Sequence, residues 1–191
     1  MRVLVACEFS GAVRDAFAAR GHFAISCDLA ASELPGRHVR GDVRPLLAKR
    51  WDLIVAFPPC TYLARSGARW NKVQPGRDAL TAEALDFVRA LMDAPCPRIA
   101  IENPIGRISS AIRRPDQIIQ PWQFGHGETK ATCLWLKGLP KLVPTNVVEG
   151  RSNRVHFFPD SKRRTVERSR TYSGVAAAMA EQWGLSPRWT S

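Results

Sequence analysis

Three runs of consecutive apolar residues constrain this chain more than anything else in it: Val3-Leu4-Val5-Ala6, Leu53-Ile54-Val55-Ala56-Phe57 and Ile99-Ala100-Ile101. Each is too short for a helix of ordinary length, and none shows the in-out alternation of a strand with one wet face. Strands buried on both faces of a parallel sheet have this pattern. The first run spans residues 2–7 and is followed by Gly11 and a helical pattern through Val13, Phe17 and Ala18, which Gly21 stops. A second strand over 23–27 ends at Asp28.

Residues 29–50 are irregular, with Pro35-Gly36 and Gly41-Asp42-Val43, and lead into the run 51–57. Pro58-Pro59 must end that strand, since proline cannot donate to a ladder and restricts the residue before it. Cys60 therefore stands just past a strand end. A polar stretch over 64–78 precedes a helix predicted for 79–93, with Leu80, Ala84, Leu85, Val88 and Leu91 at helical spacing. The strand 98–101 follows, with Glu102 at its end. Residues 132–136 read as a further strand, 138–144 as its irregular exit, and Val175 to Trp183 as a short alanine-rich helix.

This alternation predicts a doubly wound α/β sheet, mostly parallel, with ligands bound beyond the carboxyl ends of the strands. Asp28, Asp42, Cys60 and Glu102 all map to that edge. A length of 191 residues suits a single domain with a core of its own. With 28 Lys and Arg against 17 Asp and Glu, the net charge of +11 makes nucleic acid the first candidate partner. Residues 151–170 concentrate that charge, holding seven basic residues and two acidic ones.

The five cysteines form no CxxC pair, and His22, His38, His126 and His156 are scattered, so neither a zinc site nor a disulfide scaffold is expected. The first apolar run is too short for a signal peptide and no stretch reaches the length of a membrane span. A reducing cytoplasm is the expected compartment.

Pro58-Pro59 fixes a rigid, exposed corner, which argues against Cys60 as a mere packing residue. A carboxylate directly after a buried strand, as at Glu102, needs a partner or a task. A cysteine nucleophile beside an acid suits addition to an electron-poor ring: the thiolate attacks carbon and the acid protonates or hydrogen-bonds the ring nitrogen. Arg65 and Arg69 are candidates for the positive charge that favours a thiolate. Tryptophans 122, 135, 183 and 189 are candidates for base stacking or, more commonly, for packing.

In order along the chain stand Glu8-Phe9-Ser10-Gly11, Asp28, Gly41-Asp42-Val43, Pro58-Pro59-Cys60 and Glu102-Asn103-Pro104. This series resembles the motifs of the cytosine-C5 DNA methyltransferases. The resemblance implies a Rossmann-like fold dependent on S-adenosylmethionine. Phe9, Ser10 and Gly11 would line the donor pocket, Asp28 would bind the ribose hydroxyls, Asp42 with Val43 would approach the adenine, and Pro58 would border it. It further implies that Cys60 adds to C6 of cytosine, that Glu102 engages N3, and that the methyl group passes to C5.

Lys130-Ala131-Thr132-Cys133-Leu134-Trp135 resembles a degenerate form of the family's Gln-x-Arg-x-Arg motif, with Lys130 as a catalytic-site cation and Thr132 in place of the second arginine. Tyr172-Ser173-Gly174-Val175-Ala176 resembles the C-terminal motif that closes the donor pocket, which puts Ser173 there. The first motif departs from the family in keeping one glycine, Gly11, followed by Ala12 and Val13. Only residues 137–170 are available for target recognition, too few for a separate domain. The expected partner is therefore DNA, single-stranded or already opened and read with little sequence specificity. A pyrimidine C5-transferase acting on RNA or nucleotides, and an inert DNA-binding homologue, are the alternatives.

Overall fold

The computed structural model describes residues 1–152 and 169–185. Most of the basic stretch 151–170 and Trp189 lie outside the described residues. Seven strands form one sheet: β1 (Arg2–Ala6), β2 (Phe23–Asp28), β3 (His38–Arg40), β4 (Leu53–Ala56), β5 (Ile99–Pro104), β6 (Gln117–Ile119) and β7 (Thr132–Lys137). Their spatial order is β3-β2-β1-β4-β5-β7-β6. The first five run parallel, and β7 lies antiparallel between β5 and β6. This is the expected doubly wound, Rossmann-like, mostly parallel sheet.

The uniformly apolar runs are its central strands because both faces are covered. One face, through Val3, Val5, Leu53 and Val55, packs on Val13 and Phe17 of α1 (Ala12–Ala18) and on Val175, Ala176, Met179 and Ala180 of α5 (Ser173–Trp183). The other, through Leu4, Ala6, Ile54, Ile99 and Ile101, meets Leu47 of α2 (Arg44–Leu47), Leu85, Val88 and Leu91 of α3 (Arg77–Met92), and Ile108 of α4 (Arg107–Ala111). Each large aliphatic side chain so buried contributes about 1.5–3 kcal/mol.

The structure adds elements to the sequence reading. The irregular segment 29–50 contains β3 and α2, and the polar stretch 64–78 contains a 3-10 helix, Arg65–Lys72. β5 runs on past Ile101, so Glu102 lies within a strand and not just after one. Its parallel pairing with β4 ends at Ile101, while its antiparallel pairing with β7 continues to Pro104.

Candidate active site

At the carboxyl end of β1 the chain turns sharply, with Cys7 at a φ of 59° and Gly11 at 79°. Glu8, only 4% exposed, turns its carboxylate to the start of α1, where it accepts the N–H groups of Val13 (2.7 Å) and Arg14 (3.3 Å) and the Ser10 hydroxyl (3.2 Å). Unmet helix N–H groups and the helix dipole both favour an acid there. Burial nevertheless raises the Glu8 pKa, opposed by these hydrogen bonds. Ser10 also accepts the Ala12 N–H at 3.3 Å, so its hydroxyl serves the turn itself.

Arg14 fills the space beside Gly11. It is 1% exposed, and its guanidinium donates to Asp15, Ser26, Ser32 and the carbonyls of Leu34 and Pro35. A Cβ at Gly11 would lie 2.5 Å from this guanidinium, and one at Gly36 2.7 Å. The turn after β1 and the loop 32–36 are thus clamped by a buried cation, while Ala12 and Val13 belong to α1. Phe9, half-buried, accepts the Glu33 N–H at 2.8 Å through its carbonyl, and Glu33 pairs with Arg170 at 2.7 Å.

Asp28 closes β2 and accepts the Ala30 N–H at 2.8 Å. Asp42, just past β3, accepts the backbone N–H and the guanidinium of Arg44, each at 2.9 Å, which holds its carboxyl below the usual range. Val43 beside it is buried. Both aspartates act on Cys7, whose thiol is pushed up to about 12, first by burial and then by the carboxylates of Asp28 and Asp42. The structure therefore gathers Phe9, Ser10, Gly11, Asp28, Asp42 and Val43, the residues expected on the donor side, around the ends of β1, β2 and β3.

At the end of β4, Pro58 is buried while Pro59 and Cys60 are exposed. Asn103 of β5, 1% exposed, donates from Nδ2 to the Pro58 carbonyl at 2.7 Å and so ties the strand of Glu102 to the Pro-Pro-Cys corner. The Cys60 carbonyl accepts the N–H groups of Leu63 (3.0 Å) and Ala64 (2.8 Å). This turn is stitched to the chain after β5. Arg65 N–H donates to Ile105 (3.0 Å), Arg107 N–H donates to Leu63 (2.7 Å), and Ala64 bridges Gly106. Gly106 has an extended φ of 178° that any residue could adopt, but a Cβ there would lie 1.9 Å from the Leu63 carbonyl oxygen. Close approach, not backbone conformation, requires glycine.

Glu102 accepts a hydrogen bond from the Thr132 hydroxyl, and Lys130 acts on it electrostatically. Burial dominates and raises its pKa, with Lys130 and Thr132 opposing. Thr132, which replaces an arginine of the expected motif, thus has a partner in the site. The Lys130 backbone N–H donates to Gln120 at 3.0 Å, and its ammonium lies 5.7 Å from the Tyr172 ring. Tyr172 donates its hydroxyl to Glu128. Ser173, exposed, stands with its hydroxyl 3.5 Å from Nε2 of His126, which also accepts the Gly174 N–H at 3.0 Å. A Cβ at Gly174 would meet the Phe124 carbonyl oxygen at 1.8 Å, so α5 starts in direct backbone contact with the segment before β7.

The sequence reading missed Arg14 and Gly106 as site-building residues and named Gly174 only within a motif, because each acts through contacts distant in sequence. Glu8 carried a signal, an acid between a buried strand and a helix start. Of the tryptophans singled out, Trp135 and Trp183 are core residues at 1% exposure, and Trp122 is half-buried with the Arg151 guanidinium 4.1 Å from its ring. Among the described residues the exposed tryptophan, at 41%, is Trp70, which the sequence reading did not single out.

No protein-family model matches the sequence, and no curated protein matches it. Among solved structures the chain is similar to the crystal structure of S. pombe Dnmt2 methyltransferase, with a TM-score of 0.48 and 15% identity over 85% of this chain. It spans 56% of that protein's length. It is also similar to WbdD in complex with the kinase inhibitor LY294002 (TM-score 0.43, 12% identity, 75% of this chain and 37% of that one). A third is the 16S rRNA methylase RmtB (TM-score 0.34, 18% identity, 71% and 55%). Likeness at this level leaves the chemistry to the residues of the site.

Proposed function

We propose that this chain transfers a methyl group from S-adenosylmethionine to C5 of cytosine in nucleic acid, with DNA as the first substrate to test. The observation that carries the reading is the tie between Asn103 and Pro58, which joins the turn of the exposed Cys60 thiol, just past β4, to the adjacent strand β5 that carries a carboxyl of raised pKa.

The donor-side residues fit the cofactor's chemistry. Asp28 and Asp42 place carboxylates at the ends of β2 and β3, suited to ribose hydroxyls and to an adenine amine, and Phe9, Ser10, Gly11, Val43 and Pro58 adjoin them in the chain turns at the same edge. Ser173 stands at the start of α5. When bound there, S-adenosylmethionine would supply the methyl group.

On the substrate side, the Cys60 thiolate adds to C6 and the ring's electron pair shifts to C5. Glu102, whose pKa burial raises, donates a proton to N3 and stabilises the charge that develops on the ring. The Thr132 hydroxyl holds the Glu102 carboxyl in place, and the Lys130 charge acts on it electrostatically. After C5 is methylated, its proton passes to solvent water, N3 returns its proton to Glu102 and the ring expels the Cys60 thiolate, which restores both ring and enzyme.

The test is incubation with tritiated S-adenosylmethionine and single-stranded DNA, duplex DNA, RNA or cytidine nucleotides, beside a Cys60→Ser control. Label in 5-methyldeoxycytidine that disappears with Cys60→Ser supports the reading. Label only in RNA or nucleotides moves the substrate. Donor binding without label on any substrate refutes the reaction.

A further inference from the structure

The two chain segments that flank Cys60 share a charge pattern unrelated to ring chemistry. Residues 61–77 contain four basic residues and no acidic one, and residues 105–115 contain three and none. The Ala64–Gly106 bridge and its neighbouring hydrogen bonds join them into one rim. Arg65, Arg69 and Arg107 are exposed along it.

Within this rim the 3-10 helix Arg65–Lys72 exposes Trp70, with the Arg69 guanidinium 4.9 Å from its ring. The segment is braced from behind. Arg77 donates to the Thr61 carbonyl (2.9 Å), Asn71 (3.0 Å) and Gln74 (3.2 Å), and Asn71 donates to Asp78 (3.0 Å) and Thr81 (2.9 Å) of α3. An exposed indole on a braced cationic segment is a stacking platform, because every unpaired base offers a face to an aromatic ring while the arginines attract phosphates. Bases in a duplex are already stacked on each other and cannot reach it.

We propose that this rim binds single-stranded nucleic acid, with Trp70 stacking on a base next to the one presented to Cys60. The proposal deepens the methyl-transfer reading and rests on it for the position of the target base.

The test is fluorescence anisotropy with labelled oligo(dT) and oligo(U), which contain no cytosine and so report the rim independently of the reaction, beside an oligo(dT)–oligo(dA) duplex. Single strands should bind more tightly than the duplex. Trp70→Ala should weaken single-strand binding by between about fivefold and about a hundredfold, and Trp70→Phe should largely retain it. Arg69→Ala should lower the slope of log affinity against log salt by about 0.7, one phosphate contact on a single strand. Unchanged affinity in Trp70→Ala, or equal binding of duplex and single strand, overturns the proposal. Oligo(dT) against oligo(U) decides between DNA and RNA. Methylation of free nucleotides with no binding of either polymer would strike this inference alone. Trp70-dependent binding with no methylation of any substrate would strike the reaction and leave the rim.

Discussion

Replacing Gly106 with alanine adds one methyl group at the junction that positions Cys60. Its Cβ would lie 1.9 Å from the Leu63 carbonyl oxygen, 2.9 Å from the carbon of that carbonyl and 3.0 Å from Ala64 Cα, all backbone atoms that cannot rotate away as a side chain could. Ordinary contact begins at 3.4 Å, so the two segments must part by about 1.5 Å. That separation breaks the Arg107-to-Leu63 and Arg65-to-Ile105 hydrogen bonds, which together contribute about 2 kcal/mol. Because Leu63 and Ala64 both donate to the Cys60 carbonyl, the shift reaches the nucleophile, and misplacement by about 1 Å can cost roughly a hundredfold in turnover. Gly106→Ala should therefore fold with a modestly lower Tm, bind donor as the parent does, and lose about two orders of magnitude in kcat. Gly127→Ala is the control: its nearest contact would be an ordinary 3.7 Å. Normal methyl-transfer kinetics in Gly106→Ala, measured with the tritiated donor, would refute the positioning argument.

Glu102→Gln gives a pH signature. Burial raises the Glu102 pKa above its ordinary 4.5, so the folded state holds that proton more tightly than the unfolded chain. The associated stability is fully present below about 4.5 and is lost as pH rises through the folded value. The variant lacks that loss, and its Tm should gain on the parent as pH increases across this window; a gap independent of pH would contradict the burial argument. Arg14→Met removes five hydrogen bonds from a side chain 1% exposed, one of them to the buried Ser26, at a cost of about 3 kcal/mol. Thermal denaturation should show a fall of roughly 6–12 °C, and an unchanged Tm would mean that the clamp contributes nothing. Brief alkylation with iodoacetamide near pH 8, read by peptide mass spectrometry, should mark Cys60, which is exposed, and spare Cys7 and Cys133, whose thiols burial pushes up to about 12 and about 11. Modification of Cys7 first would count against the arrangement.

What was legible in the sequence was whatever repeats at short range. The runs Val3–Ala6 and Leu53–Ala56 declare burial on both faces, and Pro58-Pro59 declares a strand end, so β1, β4 and the place of Cys60 follow from local rules. β3 and β6 have three residues each, too few to carry a period, and both lie at sheet edges where hydrophobicity is not demanded. Glu102 was legible as an acid at the sheet edge. That β5 continues past it was not, because its continuation is paired by β7, thirty residues further on. Gly106 and Gly174 look like ordinary loop and helix-start glycines, and their necessity appears only when the carbonyls of Leu63 and Phe124 are brought against them. Thr132 looked like a lost arginine until Glu102 was found as its partner.

The packing of α5 on α1 bears on how the chain folds as it is made. α1 is complete by residue 18 and α5 begins at residue 173, yet both cover the same side of the sheet. A nascent chain therefore has β1, β2 and β4 available long before the helix that shields Val13, Phe17, Val3 and Val5 leaves the ribosome. Contacts of such sequence separation form late, since loop-closure entropy must be met first. Until then this side of the sheet is a sticky apolar surface of the kind that chaperones bind and that drives aggregation of stalled chains. A chain that stops short of residue 173 should accumulate as insoluble material even though every strand of the sheet precedes that point.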